Sequence, residues 1–397
     1  MNASLVRKAL VVCLSTLESD PRVVREIKWL ISGGWIVDTL GLGDSPLEAV
    51  RDHFAITPPP PWTNPRPIKG LILAALPYAA RFRVLVESCI PRQASNRVRE
   101  GAYDLVLVND IDLLPWAVKT TSAARRNSTV KCHLDLHEYH PRNLPEGTSL
   151  RFLMTGYHRW LRRFIPNPAF ASRSVVAGGI AELYASEFHI PRPEVVRNSP
   201  PFVRQEPSPV NPNRIELIYH GHAAWARGLK TLVDAMRLLD ERFVLTLMLT
   251  GSPQVRSELQ VLTHDLVDRV TFMPAVPMSE VAVTLNRFDL EVMFFPPSTQ
   301  NLRLALPNKL FEAVQGRLGL VIGSSPSMVE VVEQYENGVV VSGWQAEDLA
   351  ASLNALTAEQ IERMKHASDR SATELSSEGE QRSFFRGLDG RQHQLVE

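Results

Sequence analysis

The sequence predicts two α/β domains, each with a doubly wound parallel sheet of the Rossmann-like type. Short apolar runs alternate with helical patterns in both halves of the chain, as expected when helices cover both faces of a parallel sheet. A proline-rich polar segment separates the two halves. At 397 residues, 44% of them hydrophobic, the chain is too long for one compact core and has enough apolar residues for two.

The first domain, residues 1–200, opens with a predicted βαβ unit. Residues 9–14 form an apolar run typical of a buried parallel strand. Apolar residues then recur with helical spacing over 23–31, and Gly33 and Gly34 end that helix before a second strand at 35–42. Further strands are expected at 103–108, 130–136 and 174–177, and a further helix at 180–188.

The segment 201–213 is predicted to be the linker, because its prolines cannot sustain a helix or a central strand. The second domain, residues 214–375, repeats the alternation. Its expected strands are 215–219, 244–249, 270–272, 290–294, 318–322 and 338–341, with helices at 229–239 and 307–315. Residues 376–397 form a polar tail that could cross back to the first domain.

Composition excludes several classes of protein. The chain has 43 Lys plus Arg and 43 Asp plus Glu, so no overall charge favours nucleic acid. The three cysteines have no metal-binding or disulfide spacing, and the apolar runs are too short for a signal peptide or a membrane span. We therefore expect a cytoplasmic protein; its oligomeric state stays open.

The segment Leu306-Pro307-Asn308-Lys309-Leu310-Phe311-Glu312 predicts a helix start that carries a cation and a carboxylate. We expect Pro307 at the first helical position, with free amides and Lys309 facing an anion. Glu312 follows at a spacing that places it on a neighbouring part of the same face. The alternative is an ordinary amphipathic helix whose charges only flank its core residues.

A glycine-bounded loop over 219–228 follows the first strand of the second domain. Loops of this kind present amides and cations to phosphates. Arg227 is placed to clamp a diphosphate through its bidentate guanidinium, although a solvent-exposed turn arginine is the alternative. His222 is a weaker candidate.

Together these segments resemble the nucleotide-binding domain of retaining glycosyltransferases with the GT-B fold, family four (glycosyl transferases group 1), in the branch with Pro-Asn-Lys-Leu-Phe-Glu. Ser19-Asp20-Pro21-Arg22-Val23 and Asp135-Leu136-His137-Glu138 resemble the acceptor-side domain of one branch of that family. The resemblance spans roughly residues 9–345, and it implies two Rossmann-like domains that face each other across a cleft.

The resemblance also implies an activity: metal-independent transfer of a sugar from a nucleoside-diphosphate sugar to an acceptor hydroxyl, without a cofactor. Glu312 would hold the ribose hydroxyls, Arg227 the diphosphate, and His137 would lie near the transferred sugar. The implied catalytic residues are His137, Arg227 and Lys309. The implied donor-binding residues are Gly221, His222, Arg227, Asn308, Lys309 and Glu312, and the acceptor-side residues are Asp20, Arg22 and Glu138. The acceptor is unidentified: a glycan, a lipid-linked molecule or a small molecule.

Three positions depart from the family pattern. Leu304 stands where the first of two glutamates is usual, His222 replaces an arginine, and Arg317 replaces a glycine. Two alternatives therefore stay open: a non-catalytic partner protein that binds nucleotide sugars, and a nucleotide-sugar epimerase of the same fold.

Other motifs predict competing sites. Asp110-Ile111-Asp112 has the form of a divalent-metal motif, but it lies outside the expected nucleotide domain. His133, Asp135 and His137 alternate along one strand and could bind zinc, although the family resemblance accounts for two of them. Residues 69–97 mix basic and apolar side chains, so a peripheral membrane contact is a further hypothesis beside a packed helix with a basic edge.

Overall fold

The computed structural model describes residues 6–57, 76–125, 129–136, 139, 151–298 and 300–389. The chain divides into two compact units. The first contains Met1–Val196 together with Ser383–Glu397, and the second contains Arg197–Arg382.

The first unit is built on a sheet of parallel strands. Their order is β3-β2-β1-β4-β5-β6-β7, so the connections reverse direction between β1 and β4. The strands are β1 (Lys8–Thr16), β2 (Ile36–Leu42), β3 (His53–Ala55), β4 (Leu105–Val108), β5 (Lys131–Leu136), β6 (Phe170–Val175) and β7 (Glu194–Val195). The described helices are α1 (Pro21–Ser32), α2 (Tyr78–Leu85), α3 (Arg92–Arg99), α4 (Leu114–Ala124), α5 (Arg151–Arg162) and α6 (Gly178–Phe188).

The second unit contains a sheet of six parallel strands among its described residues, in the order β10-β9-β8-β11-β12-β13. The strands are β8 (Ile215–Ala223), β9 (Phe243–Gly251), β10 (Val270–Met273), β11 (Leu290–Met293), β12 (Gly319–Gly323) and β13 (Gly338–Val341). The helices are α7 (Leu229–Met236), α8 (Pro253–Leu262), α9 (Val281–Leu285), α10 (Gln300–Arg303), α11 (Asn308–Gln315), α12 (Pro326–Tyr335), α13 (Ala346–Asn354), α14 (Ala358–Ser371) and α15 (Ser377–Asp389).

These strands confirm the predicted fold class of two α/β domains with parallel sheets. The strands match the apolar runs because both faces of each sheet are covered, which excludes water from most positions along the central strands. In β8, β9 and β11 the buried residues include Leu217, Leu247 and Val292. The cleft expected between the domains stays a prediction.

The proline-rich segment 201–213, expected to be a linker, belongs to the second unit. The backbone N–H of Val203 donates to Gln315 Oε1, and Gln205 Nε2 donates to the carbonyl of Gln315. Arg317 also contributes, because its buried guanidinium donates to the Val203 carbonyl and pairs with Asp369 at 2.6 Å. The arginine that replaces a family glycine therefore holds this segment, although its φ of 64° is rare for a side-chain-bearing residue.

The described part of the polar C-terminal tail forms a helix, Ser377–Asp389. α15 begins in the second unit and ends in the first. Phe384 and Leu388 are buried in the core of the first unit, and the Phe384 ring lies 5.2 Å from that of Trp29. Two apolar residues at helical spacing thus order a segment whose composition is otherwise polar.

Candidate nucleotide site in the second unit

The predicted donor residues surround the point where the strand order of the second sheet reverses. β8 and β11 are neighbours there, and Leu290 and Glu291 pair with Leu217 and Ile218. Ligands of open parallel sheets bind outside the carboxyl ends of the strands at such a point. We call His220, Glu291, Lys309 and Glu312 the switch-point cluster.

His220 joins two carboxylates within this cluster. Its Nδ1 lies 2.9 Å from Glu291 Oε2, and its Nε2 lies 2.8 Å from Glu312 Oε2. Burial alone would lower the pKa of His220, but the charge of Glu291 and the hydrogen bonds with both carboxylates outweigh burial and raise the pKa to about 9. The imidazole is therefore positively charged at neutral pH and donates to both partners.

Lys309 is buried next to this histidine, with 6% of its surface exposed. Its Nζ has no hydrogen-bond partner among the described residues. It lies 3.9 Å from the ring centroid of Tyr219 and 5.2 Å from that of Phe295, so π electrons supply part of its stabilisation. Burial lowers the pKa of Lys309 to about 8, against the opposing charges of Glu291 and Glu312. An ammonium buried in this way is a strong site for an anion, because a bound anion would supply the missing acceptors.

Gly221 lets Lys309 approach the end of β8. Its φ is 122°, and a Cβ at this position would lie 2.9 Å from Lys309 Nζ. Gly228 ends the following loop with a φ of 73°, where a Cβ would lie 2.0 Å from the carbonyl oxygen of Phe294. Both glycines therefore have steric reasons for their identity.

Arg227 lies on the same loop, within the short 3₁₀ turn Trp225–Arg227. Its Cζ is 5.5 Å from the ring centroid of Phe295, which Lys309 also contacts. No hydrogen bond or ion pair joins its guanidinium to another described residue. Lys309, Arg227 and His220 thus place three basic groups near two carboxyl groups.

The other predicted donor residues have distinct positions. His222 is exposed, and its ring covers Gly251, where an added Cβ would lie 2.2 Å from His222 Cε1. Asn308 is exposed and accepts a hydrogen bond from Asn198 Nδ2 at 2.6 Å.

Pro307 is the N-cap of α11 with a ψ of 148°, so the expectation that it is the first helical residue is wrong by one position. Extended backbone is compatible with the proline ring and leaves the helix to begin at Asn308.

Leu304 is buried, with 8% of its surface exposed. Its carbonyl accepts a hydrogen bond from Ser327 Oγ. A buried leucine therefore stands at the position that carries a carboxylate in the family pattern.

Two of the predicted acceptor-side residues are occupied by contacts within the first unit. Asp20 caps α1 by accepting from the backbone N–H groups of Arg22 and Val23. Arg22 is 3% exposed, donates to both carboxylate oxygens of Asp135, and donates to the carbonyl of Val196. The guanidinium of Arg22 is thus engaged within the first unit, and the acceptor-side roles of Asp20 and Arg22 stay predictions. His137 and Glu138 lie outside the described residues.

The competing metal motifs have other partners. Asp110 Oδ2 accepts from the backbone N–H of Leu14 at 2.6 Å. The two ring nitrogens of His133 lie 2.7 Å and 2.8 Å from the hydroxyls of Ser172 and Ser174. Over the described ranges, no group of three His, Cys, Asp or Glu residues is arranged to hold a metal ion.

The membrane hypothesis concerned residues 69–97, of which 69–75 lie outside the described residues. The helices in the described part of the chain include none long and apolar enough to cross a membrane.

Residues 214–359 match the family model described as "Glycosyl transferases group 1". The match extends from the start of β8 to the start of α14 and includes the whole switch-point cluster. No curated protein sequence matches the chain.

Solved glycosyltransferase structures share the fold of the whole chain. A glycosyltransferase from Rickettsia africae ESF-5 has a TM-score of 0.67 at 12% identity, over 97% of this chain and 98% of that one. Sucrose-phosphate synthase from Thermosynechococcus elongatus has a TM-score of 0.65 at 14% identity, over 96% and 98%. HepE from Anabaena, solved in complex with UDP, has a TM-score of 0.63 at 12% identity, over 97% and 100%.

The family match over residues 214–359 supports a glycosyltransferase, the enzyme class that the sequence predicts. At these identities the structural similarity concerns the fold alone.

The sequence did not reveal the roles of His220 and Glu291. One feature of the sequence could have indicated this pair: Glu291 lies inside the apolar run Leu290–Met293, and a charged side chain within a buried strand needs a partner. The partner is 71 positions away in sequence. It becomes a neighbour only through the strand order.

Proposed function

We propose that the protein is a retaining, metal-independent glycosyltransferase that moves a sugar from a nucleoside-diphosphate sugar to an acceptor hydroxyl. The observation that carries this proposal is Lys309 at the switch point of the second sheet, because its buried ammonium finds no hydrogen-bond acceptor in the part of the chain that the structure describes. A diphosphate is the complementary ligand, because it supplies charge and several acceptor oxygens together.

The leaving diphosphate gains negative charge as its bond to the sugar breaks. Lys309 and Arg227 would stabilise that charge, and the N-terminus of α11 would add its oriented amides. Glu312 is the proposed partner of the ribose hydroxyls, and Asn308 and His222 line the same end of the sheet. His137, proposed near the transferred sugar, and Glu138, proposed on the acceptor side, stay predictions from the sequence.

The same charges support the proposal of metal independence. Fixed cations at the leaving group perform the task that a divalent ion performs in other transferases. The Asp110-Ile111-Asp112 motif belongs to the first unit rather than to the nucleotide domain. We therefore expect transfer to proceed unchanged in excess EDTA, and a loss of activity that Mg²⁺ or Mn²⁺ restores would contradict this part of the proposal.

A thermal-shift screen with UDP, GDP, ADP and dTDP tests the donor site, since a ligand of the folded state raises Tm. UDP is the first probe because HepE binds it. At least one nucleotide should raise Tm for the wild type and fail to do so for Lys309→Met. Lys230→Met is the matched control, because Lys230 is an exposed lysine of the same unit that pairs with Asp234 at 2.6 Å.

Transfer is then tested with the matching sugar donors and with acceptor candidates that include sugar phosphates, because a trehalose-phosphate synthase with this fold was solved with glucose-6-phosphate. Proton NMR of the product reports the configuration at the anomeric carbon. Retention supports the proposal, and inversion contradicts it.

The alternative is a non-catalytic protein that binds nucleotide sugars. Leu304 favours this alternative because a buried leucine stands where the family pattern has a carboxylate. Tight nucleotide binding without slow donor hydrolysis, and without transfer to any acceptor, would establish this alternative. A donor recovered with an inverted hydroxyl would instead indicate the epimerase.

A further inference from the structure

We propose that His220, held by Glu291, is a positioning residue that fixes the Glu312 carboxylate for the ribose hydroxyls of the nucleotide. This inference rests on the proposed function, and it assigns a task to two residues that the family resemblance did not include.

Glu291 fixes His220 at two points. Glu291 Oε2 lies 2.9 Å from the ring Nδ1, and Glu291 Oε1 accepts from the backbone N–H of His220 at 3.3 Å. Glu291 is itself fully buried on β11. The ring therefore has one orientation, in which Nε2 points at Glu312.

Glu312 receives this contact on one oxygen. His220 Nε2 lies 2.8 Å from Oε2, and the described residues supply no hydrogen bond to Oε1. The Glu312 side chain keeps 12% of its surface exposed, whereas Glu291 keeps none. The three groups thus form a chain that begins in the interior of the sheet and ends on a carboxylate with one oxygen free for a ligand.

A purely structural role would not require these side chains. Apolar residues of similar volume would fill the positions without the cost of removing charges from water. The neighbours of Glu291 along β11 are Leu290, Val292 and Met293, so an apolar residue is the ordinary choice there. A carboxylate that accepts hydrogen bonds from two hydroxyls binds them more tightly when its rotamer is already fixed, because less side-chain entropy is then lost on binding.

Two substitutions test separately the hydrogen bonds that His220 makes with Glu291 and with Glu312. His220→Asn places an amide near the position of Nδ1, so it can keep a bond to Glu291 but cannot reach Glu312. His220→Gln places its amide near the position of Nε2, so it can donate to Glu312. His133→Asn and His133→Gln are matched controls, because His133 is also a buried histidine with both ring nitrogens in hydrogen bonds, and it lies in the first unit.

The readout is discrimination against a missing ribose hydroxyl. Calorimetry gives Kd for UDP, ADP and GDP and for the 2′-deoxy and 3′-deoxy form of each. We expect the wild type to bind at least one ribonucleotide about tenfold more tightly than its deoxy forms. His220→Asn should reduce this ratio to about one while His220→Gln and both His133 variants retain it. Inorganic pyrophosphate should bind His220→Asn and His220→Gln alike, because both substitutions remove the same imidazolium charge.

Each other outcome has a defined meaning. If His220→Asn and His220→Gln weaken nucleotide binding equally and both keep the wild-type preference for the ribonucleotide, His220 has a structural role and the inference is overturned. A wild-type ratio of one would overturn it while leaving nucleotide binding intact. Failure of the wild type to bind any nucleotide would remove the proposed function and this inference with it.

Discussion

Lys309→Met should have opposite effects on stability and on nucleotide binding. The folded-state pKa of Lys309, about 8, lies below its ordinary value of 10.5, so folding without ligand disfavours the charged form. The shift corresponds to at most about 3 kcal/mol at neutral pH, and the contacts with the Tyr219 and Phe295 rings are lost in the variant. Methionine has a similar shape without the charge, so we expect the ligand-free variant to be more stable by about 1–2 kcal/mol.

Nucleotide binding should weaken in the same variant. Loss of a charge-assisted contact with a diphosphate corresponds to about 2–3 kcal/mol, or a ~30–150-fold increase in Kd. Urea unfolding measures the first effect, and calorimetric titration with the nucleotide identified by the thermal-shift screen measures the second. If ligand-free Lys309→Met is several kcal/mol less stable than the wild type and its Kd is unchanged, the Lys309 charge neither destabilises the free protein nor binds the nucleotide.

The same lysine predicts proton uptake on binding. A bound diphosphate should return its pKa to 10.5 or above, so uptake by Lys309 rises from about 0.1 proton at pH 7 to about 0.9 at pH 9. Phosphate groups titrate near pH 6, so they add little in this range. Titrations in buffers of different ionisation enthalpy measure the uptake, and Lys309→Met should lose this contribution. An unchanged proton count in the variant would assign the uptake to another group.

Three further substitutions test other parts of the structure. Arg227→Ala should lower kcat/KM in a transfer assay by a factor that corresponds to about 2–3 kcal/mol of transition-state stabilisation. Arg237→Ala removes an exposed pair with Asp265 and should leave kcat/KM near the wild-type value. Equal kcat/KM values for the two variants would make Arg227 a surface residue. Gly228→Ala should lower Tm and weaken nucleotide binding, because its φ is 73° and the Phe294 carbonyl occupies the space of a Cβ; an unchanged Tm would show that the loop can adapt. Arg22→Ala should destabilise the first unit by about 3–5 kcal/mol in urea unfolding, because it leaves Asp135 buried without its ion pair; a loss below about 1 kcal/mol would contradict that account.

The sequence predicted the two sheets because their apolar runs are continuous. Residues 9–14 and 318–322 lie within or beside β1 and β12, strands buried on both faces. The boundaries were less predictable. β8 continues to Ala223, past Gly221, because its pairing with β9 extends into the segment expected to be a loop. Local composition does not show how far a neighbouring strand can pair.

The candidate site was predictable where its residues are adjacent in sequence. Lys309 and Glu312 lie on one helix start, and Arg227 precedes a glycine that requires a left-handed conformation. The burial of Lys309 and Glu312 was not predictable, because a charged side chain at a helix start is usually exposed. The His220–Glu291 pair was missed because only the reversed strand order of the sheet brings β8 beside β11.

Nucleotide release from a panel of nucleoside-diphosphate sugars in the presence of EDTA tests the proposed donor site directly. The wild type should release the diphosphate slowly from at least one donor without an acceptor, Lys230→Met should do the same, and Lys309→Met and Glu312→Ala should not. Release that needs an added metal, or equal release by all four proteins, would contradict the assignment of the donor site to the switch-point cluster.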